Sequence, residues 1–272
     1  MTPDLLTTTV VRGGSPLVVL SPHLDDAVLS CGALLAHARR YVPVTVVTLF
    51  TAATPPPYTL SARRFLRLAG MRDAEELYAA RRAEDREVLT AMGIAWRHAG
   101  LTEGLFRRKP RRGTGEPRRP SRLLPERDHV YPTYRAHLIA GRISPHDDGV
   151  QRALARAVGA LAVPPDAPDG TGPLLLAPLA IGGHVDHLLV RKAAEQCRRR
   201  VVYYGDFPYT RRHAVDSDFV QHNDLGRPVT WTDGLHAKTA SILGYRTQAP
   251  LMFPGGRVPL SPEFYLLPRC FS

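Results

Sequence analysis

Runs of consecutive apolar residues alternate along this chain with stretches in which apolar residues recur every third or fourth position, and the alternation predicts strands and helices in turn. Residues 16–22 read as a strand buried on both faces. Residues 25–40 predict a helix. Val28, Leu29, Leu34, Leu35 and Ala36 form its apolar face, and Arg39 and Arg40 sit favourably at its C-terminal end. Residues 42–50 are rich in β-branched side chains and predict a second strand, which Pro55, Pro56 and Pro57 break. One long helical stretch then runs to about Met92, with Gly93 as its stop. Residues 94–99 predict a third strand.

The order β-α-β-α-β argues for a parallel sheet with right-handed crossovers. Residues 101–146 interrupt it. They are rich in Arg, Pro and Gly, have no clean period, and read as a functional lid or a disordered loop. Tyr131, Tyr134, Leu138 and Ile139 in their later part are expected to pack on the rest of the protein. Regularity returns with a helix over 148–161, a linker over 164–173, a strand over 174–179, a helix over 188–199 and a strand over 201–204. Residues 206–209 lie just beyond that strand. The tail predicts a strand at 228–231, a helix near 235–245 and a last apolar stretch at 263–267. The expectation is a single α/β domain over 1–272, with a mostly parallel sheet, helices on both faces, a long irregular insert at about 104–146 and an elaborated C-terminal part.

Composition narrows this picture in three ways. With 44% hydrophobic residues, the 272-residue chain can bury a substantial core. No apolar run approaches the length of a membrane span, and residues 1–12 lack a signal pattern, so the expected location is the cytoplasm. The cysteines, Cys31, Cys197 and Cys270, show no pair spacing and read as free thiols. The net charge of +11 would favour an anionic partner, but residues 107–122 alone supply +7 of it. That run lacks interleaved aromatic residues, so nucleic-acid binding is not expected from it.

The candidate chemistry sits at two predicted strand ends, His23-Leu24-Asp25-Asp26 after strand one and His184-Val185-Asp186-His187 after strand four. In open α/β sheets ligands bind beyond the C-terminal ends of the strands, where the strand order reverses. The two motifs should therefore face each other across about 160 residues of sequence. Together they offer histidine and carboxylate ligands for a catalytic metal with open positions. Of the adjacent Asp25 and Asp26, one can bind metal while the other takes a proton from water. Of the two histidines, one can ligate, and the other, steadied by Asp186, can act on developing negative charge.

PHLDDAVLSCG together with GGHVDH resembles the PIG-L/LmbE-like family of zinc-dependent N-deacetylases, over roughly residues 16–100 and 147–250. The resemblance implies a Rossmann-like core and hydrolysis of an acetamide on an amino sugar or glycoconjugate, including antibiotic-type or sugar-thiol conjugates. It implies that His23, Asp26 and His187 hold Zn²⁺ and that Asp25 is the general base. His184 would then stabilise the oxyanion or protonate the leaving amine, with Asp186 orienting it. Arg81 and Glu84 resemble the family's R-x-x-E pair, and Arg81 would help hold substrate. Glu103 stands where many members have an Asp that contacts the sugar. Gly182 stands where some members have a Tyr. Lys238, Tyr245 and Gln248 resemble the family's C-terminal signature.

Other readings compete. His146-Asp147-Asp148 looks like a second copy of the first motif, but without a strand before it the segment reads as a helix N-terminus with acids near the dipole. Two histidines and a carboxylate also suit a non-haem Fe(II) oxygenase, whose sites usually lie on all-β barrels. A basic nucleic-acid-binding protein would owe its affinity to the Arg run. The deacetylase reading instead expects deletion of that run to leave zinc binding intact.

Overall fold

The computed structural model describes residues 6–110, 121, 123–162, 172–196 and 201–269. Five parallel strands form most of one sheet: β1 (Leu17–Ser21), β2 (Val44–Ala52), β3 (Ala95–Thr102), β4 (Leu174–Pro178) and β5 (Val201–Tyr204). Two further strands, β6 (Val229–Trp231) and β7 (Glu263–Leu266), join antiparallel beside β5. The order is β3-β2-β1-β4-β5-β7-β6, so the direction of strand addition reverses between β1 and β4. All five residues of β1 and all five of β4 are buried, as continuous apolar runs in a two-sided parallel sheet require.

Helices cover both faces: α1 (Asp26–Ala38), α2 (Leu60–Leu68), α3 (Ala74–Ala91), α4 (Asp148–Ala162), α5 (Val185–Gln196), α6 (Ser217–His222), α7 (Leu235–Ile242) and α8 (Ala249–Met252). One core packs α2, α4 and α5 against one side of the sheet, through Leu66, Leu154 and Leu189 among others. The other packs α1 and α7 against the opposite side, through Leu34 and Ile242. α3 serves both, with Leu77 in the first core and Leu89 in the second. Among the described residues no helix is long and apolar enough to cross a membrane.

Three local expectations are revised. The long helix before Met92 is two helices, because Gly70 takes a positive φ and Asp73 caps α3 by accepting the Glu75 and Glu76 N–H groups. The third strand is longer than its apolar run and ends at Thr102, since its pairing continues along β2 to Ala52. The helix expected over 188–199 begins three residues earlier, at Val185, so the second motif lies in its first turn. The end of that expected helix, the middle of the Arg run, most of the 164–173 linker, Cys197 and Cys270 lie outside the described residues.

The C-terminal part is tied to the rest by buried charge. Glu263 on β7 accepts the Ala33 and Leu34 N–H groups of α1 at 2.8 and 2.9 Å. It also pairs with Lys238 of α7 at 3.0 Å and accepts the Tyr265 hydroxyl. Gln248 donates to the Leu24 carbonyl at 2.6 Å, and Tyr245 donates to Asp85. The three residues of the C-terminal signature thus fasten the tail, and Gln248 also lines the crevice. Glu263→Ala strands one buried cation and two helix N–H groups. It should destabilise the protein by about 3–5 kcal/mol, read as a lowered urea midpoint; an unchanged midpoint would refute this role.

Candidate metal centre

β1 and β4 end side by side at the reversal of strand order, and each delivers one motif there. After β1 the chain turns sharply. The Ser21 hydroxyl donates to the His23 carbonyl and accepts the Ala27 N–H, at 2.7 and 3.0 Å. The Asp25 carbonyl accepts the Val28 and Leu29 N–H groups. Asp25 therefore starts the helix with its backbone, and its carboxylate reaches the cavity. After β4, Gly182 and Gly183 take positive φ, and α5 begins with Asp186 and His187 in its first turn.

The Asp26 carboxylate is the centre of the arrangement. Its Oδ2 accepts the His23 N–H at 2.8 Å and lies 3.2 Å from His23 Nδ1 and 3.3 Å from His187 Nε2. Ligands held about 2.0–2.1 Å from a tetrahedral metal are separated by about 3.3 Å, and Asp26 Oδ2 stands at that spacing from a nitrogen of each of the two histidines. One nitrogen each of His23, His184 and His187 also lie within 4.8 Å of one another, so His184 adjoins the same ligand face.

His23 and His187 are each backed by a further carboxylate. His187 Nδ1 meets Asp206 Oδ1 at 2.6 Å, and Asp206 Oδ2 accepts the Ile181 N–H. His23 Nε2 meets Asp186 Oδ2 at 3.2 Å. A carboxylate on one ring nitrogen fixes the tautomer and turns the other nitrogen's lone pair toward a ligand. Burial opposes charge on His187, but Asp26 and Asp206 outweigh it and hold its pKa at about 9.

His184 behaves oppositely. Burial, with His23 and His187 nearby, holds its pKa well below the ordinary value. Its Nδ1 accepts the Asp186 N–H at 3.2 Å, which leaves the proton of the neutral ring on Nε2. The Asp186 carboxylate does not steady His184. It is turned to the Gly104 N–H at 2.8 Å, to His23 and to the Arg107 guanidinium, because Arg107 holds a full buried charge against it.

Burial and the Asp26 charge push the Asp25 pKa up to about 7, near the value a general base needs. Glu103 is likewise pushed to about 7, mainly by burial. Arg81 faces Glu103 at 3.9 Å and packs its guanidinium over Phe65 and Tyr78, at 5.1 and 5.7 Å from the ring centres. Its Nε has no hydrogen-bond partner among the described residues. Glu84 is not in the crevice; it accepts the Thr247 hydroxyl and N–H.

Asp25, Arg81, Glu103, His184 and His187 share one cavity of about 180 Å³, with apolar walls from Phe65, Leu105, Phe207 and Leu251. The histidines and acids of both motifs line this cavity except Asp186, which the sequence also assigns to the site but whose carboxylate faces Arg107. Sequence reasoning missed three others. Asp206 and Tyr209 follow the end of β5, and that position was their only signal. Tyr209 fills the space above Gly182, where an added Cβ would lie 2.9 Å from its ring. Arg107 was hidden in the basic run. The HDD segment is also revised: Asp148 does open α4, but Asp147 is fully buried against Arg107 at 2.7 Å.

Comparison with known proteins agrees with the fold and the motif pair. The chain is 34% identical over 221 residues to 2'-N-acetylparomamine deacetylase from Streptomyces fradiae, covering 79% of this chain and spanning 64% of that protein. Teicoplanin deacetylase Orf2 in its zinc-inhibited form superposes with a TM-score of 0.69 at 23% identity, covering 93% of this chain and 97% of that one. The A40926 pseudoaglycone deacetylase Dbv21 superposes with a TM-score of 0.62 at 23% identity, covering 93% of this chain and 97% of that one. The sequence profile described as PIG-L, GlcNAc-PI de-N-acetylase, matches residues 18–198, which contain both motifs, and the chain belongs to the PIG-L family.

Proposed function

We propose that this protein is a zinc-dependent N-deacetylase that removes acetyl from an N-acetylated amino sugar carried by an antibiotic-type or related glycoconjugate. The observation that carries the reading is that Asp25, whose carboxyl is pushed up to about 7 by burial and the Asp26 charge, lines one cavity with His23, Asp26 and His187. A zinc ion held by those three residues would polarise the acetamide carbonyl and acidify the attacking water.

The chain's own residues do the rest. Asp25 takes the proton of the attacking water and can return it to the leaving amine. His184, neutral and with its proton on Nε2, donates a hydrogen bond to the oxygen that becomes negative as the carbonyl carbon turns tetrahedral. Its lowered pKa supports this role over that of proton donor to the amine. Arg81 and Glu103, which line the same cavity, would bind sugar hydroxyls. The cavity is smaller than the roughly 300–1,000 Å³ usual for drug-sized ligands, so the acetamide and its sugar ring enter and the remainder of the conjugate lies outside. The similarity to an N-acetylparomamine deacetylase supports an aminoglycoside-like substrate.

The test is acetate release from a panel of N-acetylated amino sugars and glycoconjugates, with and without a chelator. Release from at least one member, abolished by the chelator and restored by zinc, is expected; no release from any member would refute the reading. Asp25→Ala should lower kcat by about 10²-fold or more while zinc content stays stoichiometric, and wild-type turnover in that variant would remove Asp25 from the base role. His187→Ala should lose stoichiometric zinc, as measured by elemental analysis; full retention would show that the ligand set is wrong.

A further inference from the structure

The irregular insert begins and ends on the same buried ion cluster. Arg107, the first residue of the basic run, is 4% exposed, unlike the solvated loop its sequence context suggests. Its Nη1 donates to Asp147 Oδ2 at 2.7 Å, its Nη2 donates to Asp186 Oδ1, and Nε and Nη2 both donate to the Thr102 carbonyl, at 3.1 and 3.0 Å. The guanidinium lies 4.9 Å from the Phe50 ring centre and 5.9 Å from that of Tyr131. Asp147, at the insert's far end, also accepts the Tyr131 hydroxyl at 2.7 Å, and that hydroxyl accepts the Ser144 N–H.

The cluster reaches the metal face through a single carboxylate. Asp186 gives Oδ1 to Arg107 and turns Oδ2 to His23 Nε2 and the Gly104 N–H. Arg107 thus determines both where Oδ2 points and how much of the Asp186 charge is left for His23. The planar fork matters, since its separate N–H groups reach Asp147, Asp186 and Thr102 at once, which a lysine ammonium on a flexible stem cannot reproduce. Gly104 permits the close approach; a Cβ there would lie 2.7 Å from Leu138 and 3.3 Å from Asp186 Oδ1.

We infer that Arg107, held by Asp147, is a positioning residue that sets the metal affinity of the site by fixing the Asp186 carboxylate against His23. The insert is then part of the metal centre, and deleting residues 107–122 weakens metal binding, contrary to the expectation from sequence. This inference rests on the proposed ligand set and deepens it.

The test uses the full chain and measures zinc affinity by competition with a chromophoric chelator, together with the visible absorption of the cobalt(II)-loaded protein. Arg107→Lys should raise the zinc Kd about 10- to 100-fold, as loss of a partner behind a ligating histidine does, and should change the cobalt bands. Tyr131→Phe removes a hydroxyl that touches Asp147 but not Asp186; it should lower Tm with little change in Kd or bands. An unchanged Kd and spectrum in Arg107→Lys overturns the inference and leaves the ligand set standing. Equal weakening by Tyr131→Phe overturns it as well, since general loosening of the insert would then be enough. If Arg107→Lys does not fold, Asp186→Asn tests the same link: a wild-type zinc Kd in that variant overturns the inference, and a Kd raised at least 10-fold supports it. Failure of the wild-type protein to bind zinc or cobalt overturns both the inference and the function proposed above.

Discussion

Everything at this site depends on one buried oxygen. Asp26 Oδ2 accepts a backbone N–H and sits between two histidine nitrogens contributed by chain segments about 160 residues apart. Burying a carboxylate is costly unless it is paired or bound to a cation. The sheet meets that demand by joining β1 to β4, so that the turns after both strands converge on it. The pairing of these two strands is therefore as much a requirement of the site as of the core.

The surroundings accumulate negative charge. Asp25, Asp26, Glu103, Asp186 and Asp206 are all nearly or fully buried within reach of the two histidines, while Arg81 and Arg107 are the buried arginines nearby. Burial first, and neighbouring acids second, push the carboxyls without a strong partner, Asp25 and Glu103, to about 7, while those beside His187 and Arg107, Asp26 and Asp186, are held well below their ordinary values against the effect of burial. A divalent cation held at the proposed ligand face would offset the same excess. Acids kept near neutrality and acids kept ionised thus arise from burial together with one charge distribution, and proton transfer and ligation can be divided between neighbours as close as Asp25 and Asp26.

The fold was legible in the sequence where one physical cause dominated. The uninterrupted apolar runs of β1, β4 and β5 read as strands, their alternation with helices made the sheet parallel, and the doubly wound order set β1 beside β4. The split between α2 and α3 escaped because the helical period continues across Gly70, and the break depends on that residue's positive φ and on the Asp73 cap. At the site, the spacing of each motif made its histidines and acids visible. Asp206, Tyr209 and Arg107 carry no spacing signal; they matter through contacts made only when the sheet closes. Asp186 shows a different limit. Its place in the motif suggested a partner two residues away, but the carboxylate turned instead to Arg107, a residue 79 positions distant, since a buried charge takes the strongest counter-charge within reach.

The central claim is that His23, Asp26 and His187 hold one metal ion between β1 and β4. Anomalous diffraction at the zinc edge from crystals of the zinc-loaded protein tests it most directly. The account predicts a single peak within about 2.0–2.2 Å of His23 Nδ1, His187 Nε2 and an Asp26 carboxylate oxygen. A peak ligated by the three histidines with Asp26 outside bonding distance, or a peak elsewhere in the protein with none at this face, would contradict it.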